Sequence, residues 1–130
     1  MGLEYTYLAS VGKAAALVVA GNVAASVATG AGPIVAISPA KGDAIVILNA
    51  GAATAGTLPT LDAALFESDD QSTWTAVPNG AFTRVTTANS LQQIAIRPGE
   101  RKTYLTAQLT IGGTVSPSFP VGMTVLYLPA

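Results

Sequence analysis

From Tyr104 to Ile111 the side chains alternate in kind at every step. Tyr104, Thr106, Gln108 and Thr110 share one parity, and Leu105, Ala107, Leu109 and Ile111 the other. Successive side chains of a β-strand point to opposite faces, so this spacing predicts a strand with one apolar and one polar face. Such a strand needs neighbours and a core to cover its apolar side. That requirement governs how the rest of the chain is read.

Further strand signals recur along the sequence. After the turn Lys41-Gly42-Asp43, residues 44–49 form a continuous apolar run, which predicts a central strand buried on both sides. Residues 61–68 read as extended. Ser68-Asp69-Asp70-Gln71-Ser72 is a polar turn and residues 73–77 return from it, a β-hairpin by its turn chemistry. Pro78-Asn79-Gly80 breaks the return strand. Short strands are predicted over 82–86 and 91–96, and Arg97-Pro98-Gly99-Glu100 makes another turn. Gly112-Gly113 closes the alternating strand, and a last strand covers 121–128 after Pro117 and Pro120. Residues 14–28 contain helix-compatible alanines. Yet Val18, Val19, Val23 and Val27, with Gly21 and Gly30, favour strands and turns.

No sustained helical period flanked by caps exists, and no crossover helices are available for a parallel sheet. The predicted class is therefore all-β, a β-sandwich of which a jelly roll is one form, with an extended N-terminal arm. A chain of 130 residues suits one domain. Residues 1–30 read as the arm and first strand region and 31–130 as the sandwich body, with Gly30-Ala31-Gly32-Pro33 as a hinge. Ile45, Ile47, Leu65, Leu105, Leu109 and Val125 are the expected core.

Composition narrows the function. Charged residues are 10% of the chain, against about 25% in ordinary soluble domains, and the net charge is −1. No basic excess exists for nucleic acid or an anionic membrane surface, so neither partner is expected. There is no cysteine and no histidine, which removes thiolate chemistry, disulfides and the commonest general base. Residues 14–40 and 103–130 carry no charge at all. Lys13 followed by residues 14–20 has the look of a signal segment. Gly21, Asn22 and Ser26 interrupt the run, so no membrane span is predicted. Few charges and many small apolar side chains describe a subunit that packs on neighbours.

The candidate chemistry is thin. Glu67, Asp69 and Asp70 form one acidic cluster, but calcium-loop spacing is absent and the expected role is to cap their own hairpin turn. Trp74, Phe66, Phe82 and Tyr104 could form a sugar platform, although such residues more often fill a core. Arg97, Arg101 and Lys102 read as a solvated turn able to pair with an acidic patch on a neighbouring subunit. No catalytic residue, cofactor or metal ligand is expected. Leu3, Tyr5, Tyr7 and Leu8 at one end, and Tyr127 and Leu128 at the other, are the expected intersubunit contacts. Each large apolar side chain left in water costs roughly 1.5–3 kcal/mol.

Several motifs, in order, resemble small head-region virion proteins of tailed bacteriophages. They are residues 41–51 (turn, apolar strand, small-residue loop), residues 61–67 leading into Ser68-Asp69-Asp70-Gln71-Ser72-Thr73-Trp74-Thr75-Ala76-Val77, then Gly80-Ala81-Phe82-Thr83-Arg84-Val85. Arg101-Lys102-Thr103-Tyr104-Leu105-Thr106-Ala107 and the turn Gly112-Gly113-Thr114 follow. The phage proteins often have glycine where Gln71 stands, and a second arginine near Thr106 that this chain lacks. The resemblance spans residues 40–126. It implies a non-enzymatic capsid decoration, or cement, protein on the virion exterior, homo-oligomeric and bound to the major capsid protein. Two other readings stay open: a glycan- or host-surface-binding module on a head fibre or tail, marked by an exposed aromatic row, and a tail or connector subunit, marked by ring formation.

Overall fold

The computed structural model describes residues 13–37 and 41–128. Seven strands run in order: β1 (Lys13–Val23), β2 (Val35–Ala36), β3 (Lys41–Ala50), β4 (Ala55–Ser68), β5 (Thr75–Ala81), β6 (Ser90–Ile96) and β7 (Tyr104–Leu128). Among the described residues the only helical structure is a single 3-10 turn, Pro98–Glu100. The fold is all-β.

β7 is the spine, and every strand pairing is antiparallel. Its first half is flanked on one side by β4, from Ser68 opposite Tyr104 to Ala55 opposite Ser118. On the other side lie β2, with Val35 opposite Leu105, and an isolated bridge from Val27 to Leu109. Its second half is flanked by β3, with Ala50 opposite Val121 and Lys41 opposite Leu128, and by β1, with Val23 opposite Phe119 and Lys13 opposite Tyr127. β5 pairs with the outer edge of β4, and β6 with the outer edge of β3.

Chain reach dictates how this sheet is shaped. Ala36 lies opposite Tyr104 and Lys41 opposite Leu128. The chain travels between them in five residue steps, at most about 18 Å. A straight 25-residue strand would separate Tyr104 from Leu128 by about 80 Å. β7 therefore doubles over, its two ends meet, and the sheet nearly closes on itself.

The bend sits where a turn was expected. Gly112-Gly113 does not reverse the chain, and Pro117 and Pro120 do not separate two strands; β7 runs through all four. Gly113 (φ 111), Val115 (φ 61) and Ser116 (φ 51) take left-handed backbone, and the pairing with β4 shifts register on both sides of Thr57. Bulges of this kind bend a strand while leaving it paired. At Gly113 a Cβ would stand 2.9 Å from the carbonyl oxygens of both Thr57 and Leu58, so no side chain fits. A second correction has a similar cause. The return strand continues through Pro78-Asn79-Gly80 as a bulge, with Asn79 at φ 58. Residues 82–86 then make no strand; Val85 forms an isolated bridge, exchanging backbone hydrogen bonds with Leu61, and the Phe82 N–H donates to the Ala63 carbonyl.

Both halves feed one core. Leu17, Val46, Leu48, Phe119, Met123 and Val125 come from one half, and Leu61, Leu65, Leu105, Leu109 and Val77 from the other. The predicted core residues Leu65, Leu105, Leu109 and Val125 belong to it. Ile45 is buried but lies outside the cluster, and Ile47 is only half-buried. The reason is parity: Ala44, Val46, Leu48 and Ala50 point inward, so Ile45, Ile47 and Asn49 point outward. Within the stretch read as arm and first strand region, residues 13–23 are β1 and pair along β7. Residues 1–12 lie outside the described residues.

Candidate docking surface

Folding β7 in half sorts the charges. Lys13, Lys41, Asp43, the acidic turn at 67–70 and the basic linker at 97–102 all reach the end where β7 starts and finishes. Here Arg101 meets Glu67 at 3.2 Å in a largely buried ion pair, and the Lys102 N–H donates to the same carboxylate at 3.0 Å. The N–H and hydroxyl of Thr103 donate to Asp69. Arg97 faces Asp43 at 3.4 Å and Glu100 at 3.8 Å. The Asp70 Oδ1 accepts the N–H groups of Thr73 and Ser72 and the Ser68 hydroxyl. Those bonds, the Thr73 N–H foremost, hold its carboxyl down at about 2. Asp70 thus caps its own hairpin as expected. Glu67 and Asp69 instead fasten the linker that leads into β7. Arg97 and Arg101, read from sequence as a solvated turn able to pair with a neighbour's acids, find acidic partners within the chain. Midway along the sheet, Asp62 takes a two-pronged hydrogen bond from Arg84 at 2.9 and 2.8 Å, which lowers its pKa.

The opposite end, where β7 bends, is built from residues 19–26, 49–58, 86–92 and 112–122, none of them charged. These segments are tied to one another. The Gly51 N–H donates to Pro120, Ala52 N–H to the Asn89 side chain, and Ala53 N–H to Thr86. The Thr54 hydroxyl reaches both Asn22 and Ser118. Among the described residues, the large hydrophobic side chains that stand exposed all lie in these segments: Val19 (69%), Leu58 (85%), Leu91 (75%) and Val115 (74%). Leu58 (φ 48) and Val115 both occupy left-handed backbone, on strands that pair beside them at Thr57 and Thr114. A β-branched residue rarely adopts that conformation. The paired bulges of the bend impose it and turn both side chains outward. A shallow, open depression among these segments is lined by Ala20, Gly21, Asn49, Gly51, Pro120 and Gly122.

Among the described residues, no group of three or more His, Cys, Asp or Glu could hold a metal ion. No helix there is long and apolar enough to cross a membrane. Of the expected contact residues, Leu3, Tyr5, Tyr7 and Leu8 lie outside the described residues. Tyr127 is half-buried against the core opposite Lys13, and Leu128 is half-buried opposite Lys41. The aromatic candidates do not form one exposed row. Phe82 is buried, Phe66 and Tyr104 are half-buried, and Trp74 lies so close to Gly30 that a Cβ there would stand 2.9 Å from its Nε1. Sequence reasoning did not single out Leu58, Val115, Val19 or Leu91. A signal was present: besides the two charge-free stretches at the ends, residues 44–61 and 85–96 carry no charge either. Compared with protein-family models and with curated proteins, the chain matches none.

Proposed function

We propose that this chain is a non-enzymatic structural subunit of a tailed-phage virion, a decoration protein that binds the major capsid protein on the capsid exterior. The observation that carries the reading is the charge-free end with its four exposed hydrophobic side chains. That end packs on the lattice, and the ion-paired end faces solvent. Small side chains let the two backbones approach closely. Burying Val19, Leu58, Leu91 and Val115 recovers roughly 1.5–3 kcal/mol for each fully covered side chain. Many copies binding only the expanded lattice stabilise it by mass action, and modest contacts suffice when they are repeated. The motif order shared with phage head-region proteins supports the same reading. The glycan-binding alternative would call for an exposed aromatic row, which the described residues do not present.

The test is co-sedimentation with expanded phage heads. Leu58→Asp and Val115→Asp each place a charge in the contact and should weaken binding at least tenfold, with melting temperature within a few degrees of the parent. Unchanged binding by both variants, or by a double variant, would overturn the reading.

A further inference from the structure

The two strands that pair at the bend of β7 carry the same short pattern. Gly56-Thr57-Leu58-Pro59 on β4 runs antiparallel to Gly113-Thr114-Val115-Ser116-Pro117 on β7, and Thr57 lies opposite Thr114. The backbone repeats as well. Gly56 and Gly113 take φ 107 and 111, and Leu58 and Val115 take φ 48 and 61. Each strand bulges against the other's glycine: Leu58-Pro59 against Gly113, and Val115-Ser116-Pro117 against Gly56. Ser116, also left-handed at φ 51, is the departure from the match. An antiparallel pair has a local twofold axis normal to the sheet, here through the Thr57–Thr114 pair. That axis relates Leu58 to Val115, so both rise on one face of the ribbon, about 8–10 Å apart.

Neither side chain contributes to the core. Leu58 is 85% and Val115 74% exposed, and residues 54–58 and 113–116 are exposed around them. Left-handed backbone opposes both residues, and glycine would sit there without strain. Side chains held in such backbone without burial in their own chain belong to a contact outside it. We propose that Leu58 and Val115 are a matched pair of anchors for two equivalent apolar sockets, one on each of two identical subunits that meet across a twofold junction. Two knobs of the same build on the same backbone call for two sockets of the same kind. Like sockets related by an axis occur where two copies of one protein meet. Residues 44–61 and 103–130 carry no charge, so a charge in either socket would be buried unpaired; the sockets are uncharged too. This placement rests on the virion reading and deepens it, setting the chain astride two major capsid subunits rather than on one. A second copy of this chain is the weaker partner. The ribbon's nine exposed residues, mostly small, present less than the roughly 800 Å² per partner that a stable interface buries.

The test compares the full chain with its variants in co-sedimentation with expanded phage heads, binding to the isolated major capsid subunit, melting temperature and oligomeric state. Leu58→Gly and Val115→Gly should each melt at or above the parent temperature and bind heads at least tenfold more weakly. The isolated subunit offers one socket. Each variant should bind it within about twofold of the parent, the statistical factor for one anchor in place of two. The exchange variant, Leu58→Val with Val115→Leu, should bind heads like the parent, because rotation about the axis restores the original pairing. Unchanged head binding by both glycine variants would overturn the inference. Equal losses on heads and on the isolated subunit would do so by putting both anchors on one subunit, and head binding lost on exchange by making the sockets unlike. Lower melting temperatures in both glycine variants would show that the side chains support the fold. A parent dimer dissolved by either variant would make the ribbon a contact between copies of this chain. Those last two results also overturn the inference while the virion reading stands, whereas a parent that does not bind heads at all overturns both.

Discussion

Gln71 stands at φ 62 at the tip of the β4–β5 turn, where its N–H donates to the Ser68 hydroxyl. Left-handed backbone costs a residue with a Cβ about 1–2 kcal/mol, and glycine loses part of that advantage through its greater freedom when unfolded. Gln71→Gly keeps the N–H and removes the strain, so it should raise stability by about 1 kcal/mol in urea unfolding. Asp70, one residue earlier, makes the turn sensitive to acid. Its carboxyl is depressed from 3.8 to about 2 by the N–H groups it accepts. A depressed folded-state pKa stabilises the protein above the unfolded value, and that contribution is lost as pH falls through the folded one. The melting temperature of the parent should therefore drop between about pH 4 and pH 2. Asp70→Asn keeps an acceptor oxygen but cannot titrate, and its profile should be flatter over that window. Parallel profiles would show that other carboxylates govern acid unfolding.

At the scale of strands, face matters more than hydrophobicity. Leu109 on β7 is 1% exposed and belongs to the core, whereas Ile47 on β3 is half-buried on the outer face. Leu109→Ala should cost about 2–5 kcal/mol, the range for buried leucines. Ile47→Ala should cost about 1 kcal/mol, since it leaves no closed cavity. Equal costs in urea unfolding would mean that β3 is packed alike on both faces. The same strands show why turn signals misled. Gly112-Gly113 and Pro78-Asn79-Gly80 do break regular geometry, but as bulges within β7 and β5. Their partners on β4 hold the chain in the sheet on both sides of each irregularity.

For the whole molecule, the ion pair between Arg101 and Glu67 fastens the end where β7 begins to the end of β4. Removing one partner of a buried pair leaves the other charge uncompensated, which typically costs 3–5 kcal/mol. Arg101 retains some exposure, so Arg101→Ala should cost less, about 2 kcal/mol. Amide exchange should rise at the linker residues 99–103. Because the uncharged end lies across the molecule, capsid binding by Arg101→Ala should match the parent at temperatures where it is folded. Leu58→Asp should show the reverse, with stability kept and binding lost. A variant that lost both together would link the two ends and contradict the division of labour proposed for them.

The sequence by itself determined the fold class and much of the core. A two-residue period over 104–111, an apolar run at 44–48 and the Asp70 turn are local signals, and local physics reads them without reference to distant residues. Parity along β7 placed Leu105 and Leu109 inward for that reason. Which face of β3 met the core was not legible, because a continuous apolar run has no parity of its own. Nor was the doubling of β7, since glycine and proline mark irregular backbone without saying whether the chain reverses or bends. Only the tertiary structure decided that. The joint requirement that Ala36 reach Lys41 while both stay paired to opposite ends of β7 forces the sheet to fold. That folding gathers four separate charge-free stretches into one surface. Each stretch was visible in the sequence, but their meeting depends on pairings between residues far apart in the chain.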